Sequence, residues 1–301
     1  MLVVMYHYVR DFDEKAPNFK NLTIDQFKRQ LDFFGKTYGF LTKEKFLKCL
    51  EGGSPMEEGV VLSFDDGFKD HYTNVLPLLE ELNLWGLFYV ASDHYRNHEC
   101  LSVHKVHHLL GCQDPKVLLD NSLSLIDSSM LNEDKIKEFD AEIYKDQKLS
   151  TEEYKLKRLF NYYLKGPYKT KLLNEVCQEY FDEQELHRSL YLTKNNLIEI
   201  EAQGSIVGSH TATHPVLSTL SYSEQEKEIS TSFSFLDSFL DMKVRSFCYP
   251  YGGRASYNKD TLDVLGKLNT HHAFLVGNAP FDKVTNRYEL TRVDCNRFNI
   301  K

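Results

Sequence analysis

Short apolar runs alternate with helix-like segments along most of the chain, and this alternation constrains the fold more than any other feature. A helical pattern begins after Thr23, a good N-cap residue, with apolar residues following at three- and four-residue spacing. Strands that alternate with helices predict βα units and a mostly parallel sheet. Seven runs have the length and composition of buried strands: 2–8, 59–64, 85–91, 205–208, 244–249, 273–276 and 288–293.

Residues 98–196 have a different composition. They are rich in Lys, Glu and Leu and contain only two glycines, Gly111 and Gly166, which favours helices over strands. We therefore divide the chain into an α/β domain of residues 1–97 and 197–301 and a helical insertion of residues 98–196. Because the insertion follows a strand, we expect it at the end of a parallel barrel that carries the active site.

Charge and cysteine content exclude several classes of function. The formal net charge of the 301 residues is −8, which argues against a nucleic-acid-binding protein. None of the six cysteines forms a C-x-x-C pair, so a cysteine zinc site or a redox motif is not expected. The sequence shows neither a signal-peptide pattern nor an apolar run of 18 residues, and we therefore expect a cytoplasmic protein without a transmembrane segment.

Two adjacent carboxylates, Asp65 and Asp66, directly follow the second strand and precede Gly67. Neighbouring carboxylates repel each other, so either a cation lies nearby or the pKa of one of them rises. Read alone, the segment also fits an ordinary polar turn, because Asp-Gly is typical turn chemistry.

Two histidines, His210 and His214, follow the fourth predicted strand. A spacing of four places both rings on one face of a helical turn, where they could reach one ion; the alternative is a pair of partly exposed loop histidines. Imidazole suits zinc and the later first-row metals. Two histidines and one aspartate leave an open coordination position, which is typical of a catalytic metal, and the second aspartate could then act as a general base on an activated water.

A third motif, F-C-Y-P-Y-G-G at residues 247–253, also ends a strand, and its proline and glycines predict a tight loop. In this order, S-F-D-D-G, H-T-A-T-H and F-C-Y-P-Y-G resemble the polysaccharide deacetylase family, the NodB-homology group of carbohydrate esterase family 4. The resemblance covers residues 1–97 and about 200–301, outside the insertion. It implies a distorted (β/α) barrel of the NodB-homology type and a divalent-metal deacetylase that acts on N-acylated sugars.

The same resemblance implies roles for individual residues. Asp65 is the general base, and the backbone N–H of Tyr251, which follows Pro250 in the substrate loop, helps to hold the oxyanion. One divalent ion is expected, zinc first, with cobalt, nickel, iron and manganese as alternatives. Its ligands are Asp66, His210 and His214.

The chain departs from the family pattern in three places. Cys248 stands where the third motif commonly has an arginine, and neither a D-x-x-D-W segment nor a late L-x-x-H follows. However, M-Y-H-Y-V at residues 5–9 resembles the branch of exported poly-N-acetylglucosamine deacetylases, in which the acid histidine ends the first strand. We therefore predict His7 as the general acid.

The segment 288–294 resembles the closing strand of the same branch. Arg292 and Asp294 are two residues apart, so they point to the same side of a strand. Either could orient His7 or Asp65; the alternative is a surface ion pair.

The leading hypothesis is a hydrolase that removes an N-acyl group, expected to be acetyl, from an amino sugar of a polysaccharide or its precursor. The absence of a signal sequence favours an intracellular precursor in surface polysaccharide synthesis. Two alternatives stay open: a non-haem iron oxygenase, which uses the same three kinds of ligand, and a non-catalytic carbohydrate-binding domain on the same scaffold. The missing arginine favours the second of these.

Overall fold

The computed structural model describes residues 1–51, 57–132, 149–280 and 284–300. Seven parallel strands form a closed barrel in which each strand pairs with the next along the chain and the last pairs with the first. This confirms the predicted α/β barrel. The strands are β1 (Leu2–Tyr6), β2 (Val60–Phe64), β3 (Gly86–Val90), β4 (Ile206–Ser209), β5 (Ser246–Cys248), β6 (His272–Gly277) and β7 (Leu290–Asp294).

In the part of the chain that the structure describes, helices lie between successive strands from β1 to β6, and several of them form the region between β3 and β4. Among the described residues, none combines the length and apolar character needed to span a bilayer. In chain order they are α1 (Ile24–Thr37), α2 (Lys43–Glu51), α3 (Leu76–Glu81), α4 (His94–Asn97), α5 (Ser102–Cys112), α6 (Pro115–Ser124), α7 (Thr151–Arg158), α8 (Gly166–Cys177), α9 (Glu183–Leu190), α10 (Lys194–Ala202), α11 (Tyr222–Asp237) and α12 (Lys259–Lys267).

Helix α1 begins where the sequence predicts. The Thr23 side chain accepts a hydrogen bond from the backbone N–H of Gln26, and the Gln26 side chain accepts one from the backbone N–H of Thr23. This capping box satisfies two N–H groups that have no partner within the helix. The apolar face of α1, with Phe27, Leu31 and Phe34, is buried in the core of the barrel unit.

Aromatic rings pack β1, β2 and β3 together. The Phe64 ring stacks on Phe88 with centroids 4.8 Å apart and on Tyr6 with centroids 5.4 Å apart, and Phe27 of α1 meets Tyr6 edge-on. Such pairs contribute about 0.5–1.5 kcal/mol each beyond the burial of their surface. The packing fixes the ends of β1 and β2, and therefore the positions of the residues that follow them.

The described residues fall into two compact units. The barrel unit contains residues 1–11, 21–97 and 190–300, and the second unit contains residues 12–20 and 98–189. The sequence-based insertion ran to residue 196, but Leu192 lies in the barrel core and donates its N–H to the Gly67 carbonyl, 2.9 Å away. Residues 12–20 join the second unit through a bond from the Asn18 N–H to the Gly111 carbonyl.

The second unit is built from helices around a core of its own. Val106, Leu118, Leu156, Phe160 and Leu173 are among its fully buried members. Residues 133–148 of the predicted insertion lie outside the described residues.

Gly208 of β4 lies where β4 closely approaches its neighbours β3 and β5. A Cβ there would lie 2.7 Å from the Ser246 carbonyl oxygen and 2.7 Å from a ring carbon of Tyr89. We expect Gly208→Ala to lower the free energy of unfolding by about 1–3 kcal/mol, measured by chemical denaturation. Gly253→Ala is the control, because a Cβ there has nothing within 4 Å. Equal stability of the two variants would contradict this packing.

Candidate active site

Polar side chains that follow β1, β2 and β4 meet at one end of the barrel. His7 follows β1, Asp65 and Asp66 follow β2, and His210 follows β4. Because all the strands are parallel, their carboxyl ends share one face of the barrel. Parallel closure therefore brings together residues that lie up to two hundred positions apart in the sequence.

Asp66, His210 and His214 form a cluster of possible metal ligands. The Asp66 Oδ1 atom lies 3.5 Å from His210 Nε2 and 3.4 Å from His214 Nε2, and all three residues are buried. Zinc bonds of about 2.0–2.1 Å in tetrahedral geometry place neighbouring donor atoms about 3.3–3.4 Å apart. The spacing and the donor types therefore fit one small divalent ion.

His210 is held in the form that binds a metal. Its Nδ1–H donates to the Cys248 carbonyl oxygen, 2.8 Å away, which leaves Nε2 as the lone-pair nitrogen toward Asp66. Burial lowers the pKa of His210, and the charges of Asp65 and Asp66 offset this only in part. The ring is therefore neutral at neutral pH.

The two histidines are brought together by a loop, so the expectation of a helical turn was wrong. Thr211 and His214 have φ angles of 67° and 59°, in the left-handed region that residues other than glycine rarely occupy. The His214 N–H donates to Thr211 Oγ1 at 3.0 Å, and the centroids of the His210 and His214 rings lie 4.8 Å apart. The ring spacing thus depends on an unusual loop conformation.

Asp65 forms a buried bidentate ion pair with Arg292 of β7. The two N···O distances are both 2.6 Å, and the guanidinium also donates to Ser63 Oγ at 3.1 Å. Burial alone would raise the pKa of Asp65, but the charge and hydrogen bonds of Arg292 outweigh it, and the pKa is lowered. Asp65 is therefore an ionised carboxylate with a fixed orientation.

Cys248 completes this buried cluster. Its Sγ lies 2.7 Å from Arg292 Nη2 and 3.7 Å from Asp65 Oδ2, and burial raises the pKa of the thiol. The residue at the usual arginine position is thus a neutral thiol in contact with a guanidinium that comes from β7. The sequence pointed to Arg292 as a supporting residue but left open which partner it orients.

His7 lies across from the carboxylates and is more accessible than they are. Its Nε2 atom is 4.0 Å from Asp65 Oδ2 and 4.0 Å from Asp66 Oδ2, and its side chain is 40% exposed. Its backbone carbonyl faces His71 Nε2 at 2.8 Å, so His71 donates to it. Sequence reasoning missed His71, a fully buried residue at the start of a π-helical turn, because no spacing pattern distinguishes it.

The Pro250–Tyr251 segment forms a tight loop after β5. Tyr251 has a φ of 63°, and its ring centroid lies 5.0 Å from that of His214. Gly252 follows with a φ of 65°, and a Cβ there would come within 2.3 Å of Val276. The loop conformation therefore requires glycine and places Tyr251 beside the histidine cluster.

Asp294 lies away from this cluster. One of its carboxylate oxygens accepts hydrogen bonds from the backbone N–H and the side-chain amide of Asn296, both at 2.8 Å, which caps the turn at Cys295–Arg297. Among the described residues it forms no hydrogen bond with His7 or Asp65. Of the two residues predicted to orient the site, only Arg292 does so.

The Arg292 pair predicts a pH-dependent stability. The lowered pKa of Asp65 contributes stability that is fully present above the unfolded value of about 3.9 and is lost as the pH falls through the folded pKa. In Arg292→Gln, the main interaction that opposes burial is lost and the pKa of Asp65 rises, so the variant loses stability as the pH rises above about 4. We expect the free energy of unfolding of Arg292→Gln, measured by chemical denaturation, to be about 3–5 kcal/mol lower than that of the wild type at pH 7. This difference should become smaller as the pH falls toward 4.

Arg297→Gln is the matched control, because Arg297 is exposed and bonds only to Asn278 among the hydrogen bonds described for it. A pH-independent difference between Arg292→Gln and the wild type would show that the Asp65 charge is not what Arg292 stabilises.

Solved structures share this fold. The chain aligns over 98% of its length with 91% of the Streptococcus pyogenes deacetylase PplD in complex with acetate, at 18% identity and a TM-score of 0.59. It aligns over 97% of its length with 90% of IcaB from Ammonifex degensii, at 16% identity and a TM-score of 0.58. It also aligns over 97% of its length with 93% of a de-N-acetylase from Aggregatibacter actinomycetemcomitans, at 17% identity and a TM-score of 0.56.

No curated protein sequence matches the chain significantly. A family model described as polysaccharide deacetylase matches residues 168–273, which include β4, the loop of His210 and His214, and the loop of Tyr251. Together with the barrel, this match agrees with the family and the enzyme class expected from the three motifs. Residues 168–273 are thus similar to the polysaccharide deacetylase family, and the barrel fold and the three motifs agree with that similarity.

Proposed function

We propose that the protein removes an N-acetyl group from an amino sugar of a polysaccharide, with one divalent ion held by Asp66, His210 and His214. One observation carries the proposal: a buried set of three donors with metal-like spacing lies beside an ionised carboxylate that is held by a separate cation. The donor set and the base are thus distinct groups, as amide hydrolysis by an activated water requires.

Zinc is the ion that we propose for this site. Two imidazoles and one carboxylate are common zinc ligands and leave a coordination position open. A divalent ion bound there supplies Lewis acidity toward water and the amide carbonyl. Cobalt, nickel, iron and manganese use the same donor types, so they are the expected substitutes.

The geometry supports different roles for the two aspartates. Both oxygens of Asp65 are engaged by Arg292, whereas Oδ1 of Asp66 faces the two histidine nitrogens. Asp65 therefore serves as the base that accepts a proton from the attacking water, because its lowered pKa keeps it ionised. Asp66 serves as a ligand.

His7 and Tyr251 complete the proposed reaction. The amine of an amide leaves poorly unless it is protonated, so a general acid is needed. His7 is partly exposed and lies 4.0 Å from both carboxylates, within reach of a substrate that enters from solvent. We assign it the role of proton donor to the leaving amine, and we assign the Tyr251 N–H, with Pro250 shaping its loop, to the oxyanion.

The non-catalytic alternative loses its main support in this geometry. It rested on the absence of an arginine at position 248, but Arg292 provides a guanidinium that pairs with Asp65 from β7. The direct test is acetate release from N-acetylglucosamine oligomers by metal-free protein before and after one equivalent of zinc. Release that requires zinc supports the proposal, and no release in either state would contradict it.

Substitution of each aspartate separates base from ligand. Asp65→Asn should retain one zinc per chain but lose turnover by roughly 100- to 10,000-fold, the usual contribution of one acid–base group. Asp66→Asn should lose both zinc and turnover. Metal analysis after dialysis, together with acetate release, checks both variants. An empty site in Asp65→Asn with metal retained in Asp66→Asn would reverse the two roles.

Removal of the proposed acid should affect turnover alone. We expect His7→Ala to retain zinc and to lose acetate release by roughly 100- to 10,000-fold, because only the proton donor is missing. A substrate with a better leaving amine should recover part of the rate, since it depends less on protonation. Wild-type turnover in this variant would place the acid elsewhere.

A further inference from the structure

The loop between His210 and His214 is held in a conformation that its own sequence does not favour. Thr211 and His214 both have positive φ angles, although neither is glycine. Such conformations persist only where the surroundings impose them. Groups that hold this loop therefore decide where the two imidazoles point.

Glu228 on α11 makes three hydrogen bonds to the middle of this loop. Its Oε2 atom accepts from the backbone N–H groups of Ala212, at 3.0 Å, and Thr213, at 2.8 Å. Its Oε1 atom accepts from the Thr213 hydroxyl, at 2.8 Å. Two successive peptide groups are thus bound by one carboxylate, which fixes their orientation.

The opposite side of the loop is held by backbone groups. The Thr211 carbonyl accepts from the Ser92 N–H at 3.2 Å, and the Ala212 carbonyl accepts from the Asp93 N–H at 2.9 Å. These bonds come from the chain that follows β3. The loop is therefore held by the backbone of Ser92 and Asp93 and by the side chain of Glu228. Of these groups, only the Glu228 side chain can be removed by a substitution.

The packing of α11 does not depend on Glu228. The helix is buried through Ile229, Phe233 and Leu236, and Glu228 itself is only partly buried. Substitution of Glu228 should therefore leave the helix and the barrel in place while it releases the loop.

We propose that Glu228 is a positioning residue for the metal site, which holds the loop so that His210 and His214 face Asp66 before the ion binds. This inference rests on the proposed function, because it presumes that the three residues bind a metal. Groups that orient metal ligands are typically worth 10- to 100-fold in metal affinity. Glu228 would contribute in this way without touching the ion.

The test is the zinc dissociation constant, measured by competition with a chromophoric chelator, for wild type, Glu228→Ala and Glu228→Gln. We expect Glu228→Ala to bind about 10- to 100-fold more weakly. The zinc dissociation constant of Glu228→Gln should lie between those of the wild type and Glu228→Ala. Its amide oxygen can accept from the two N–H groups, but its amide nitrogen cannot accept from the Thr213 hydroxyl. Glu226→Gln is the control on the same helix, since Glu226 pairs with Lys267, 2.5 Å away, and should bind zinc like the wild type.

The melting temperature of each metal-free protein separates positioning from general stability. Weaker zinc binding by Glu228→Ala and Glu228→Gln, with metal-free melting temperatures close to that of Glu226→Gln, supports the inference. Unchanged zinc affinity in both Glu228 variants would overturn it, whatever their melting temperatures. Failure of the wild type to bind zinc would overturn the proposed function and this inference with it. If Glu228→Ala does not fold, the comparison of Glu228→Gln with Glu226→Gln decides.

Discussion

The buried ion pair of Asp65 and Arg292 distinguishes the two adjacent aspartates of the site. It links the end of β2 to the middle of β7, on either side of β1, so it forms only when the barrel is closed. It occupies both oxygens of Asp65 and keeps that carboxylate ionised. Asp66 follows with a φ of 74°, and its carboxylate faces the histidines. Two adjacent, like-charged residues can therefore carry different functions.

The pair also brings a guanidinium to Asp65 although the chain has no arginine at position 248. At position 248 the usual arginine is replaced by a thiol, which is neutral because burial raises its pKa. The Arg292 guanidinium reaches Asp65 from β7, which lies two places further along the barrel than β5. Position 248 has no arginine, but the carboxylate of Asp65 is still paired with a guanidinium. A site should therefore be judged by the groups that meet in space as well as by the motif that each strand carries.

Local patterns predicted the strands and a mostly parallel sheet, and the resemblance of the motifs implied the barrel that brings them together. Each of the seven strands lies within about three residues of its expected ends, and parallel strands bring the residues that follow them to one face. The contacts that shape the site are not local. Arg292 and Asp65 are 227 residues apart, and Glu228 reaches its loop from the middle of a helix. The sequence left a helical turn and a loop open for His210 and His214, because a four-residue spacing carries no information about positive φ angles.

The proposed roles require that Asp66, His210 and His214 together bind one catalytic metal ion. Anomalous diffraction at the zinc absorption edge, from crystals of the zinc-loaded protein, tests it most directly. We expect a single strong peak about 2.0–2.2 Å from Asp66 and from the Nε2 atoms of both histidines, with Asp65 still paired to Arg292. A peak elsewhere in the chain, or an ion bound by Asp65 in place of Asp66, would contradict it.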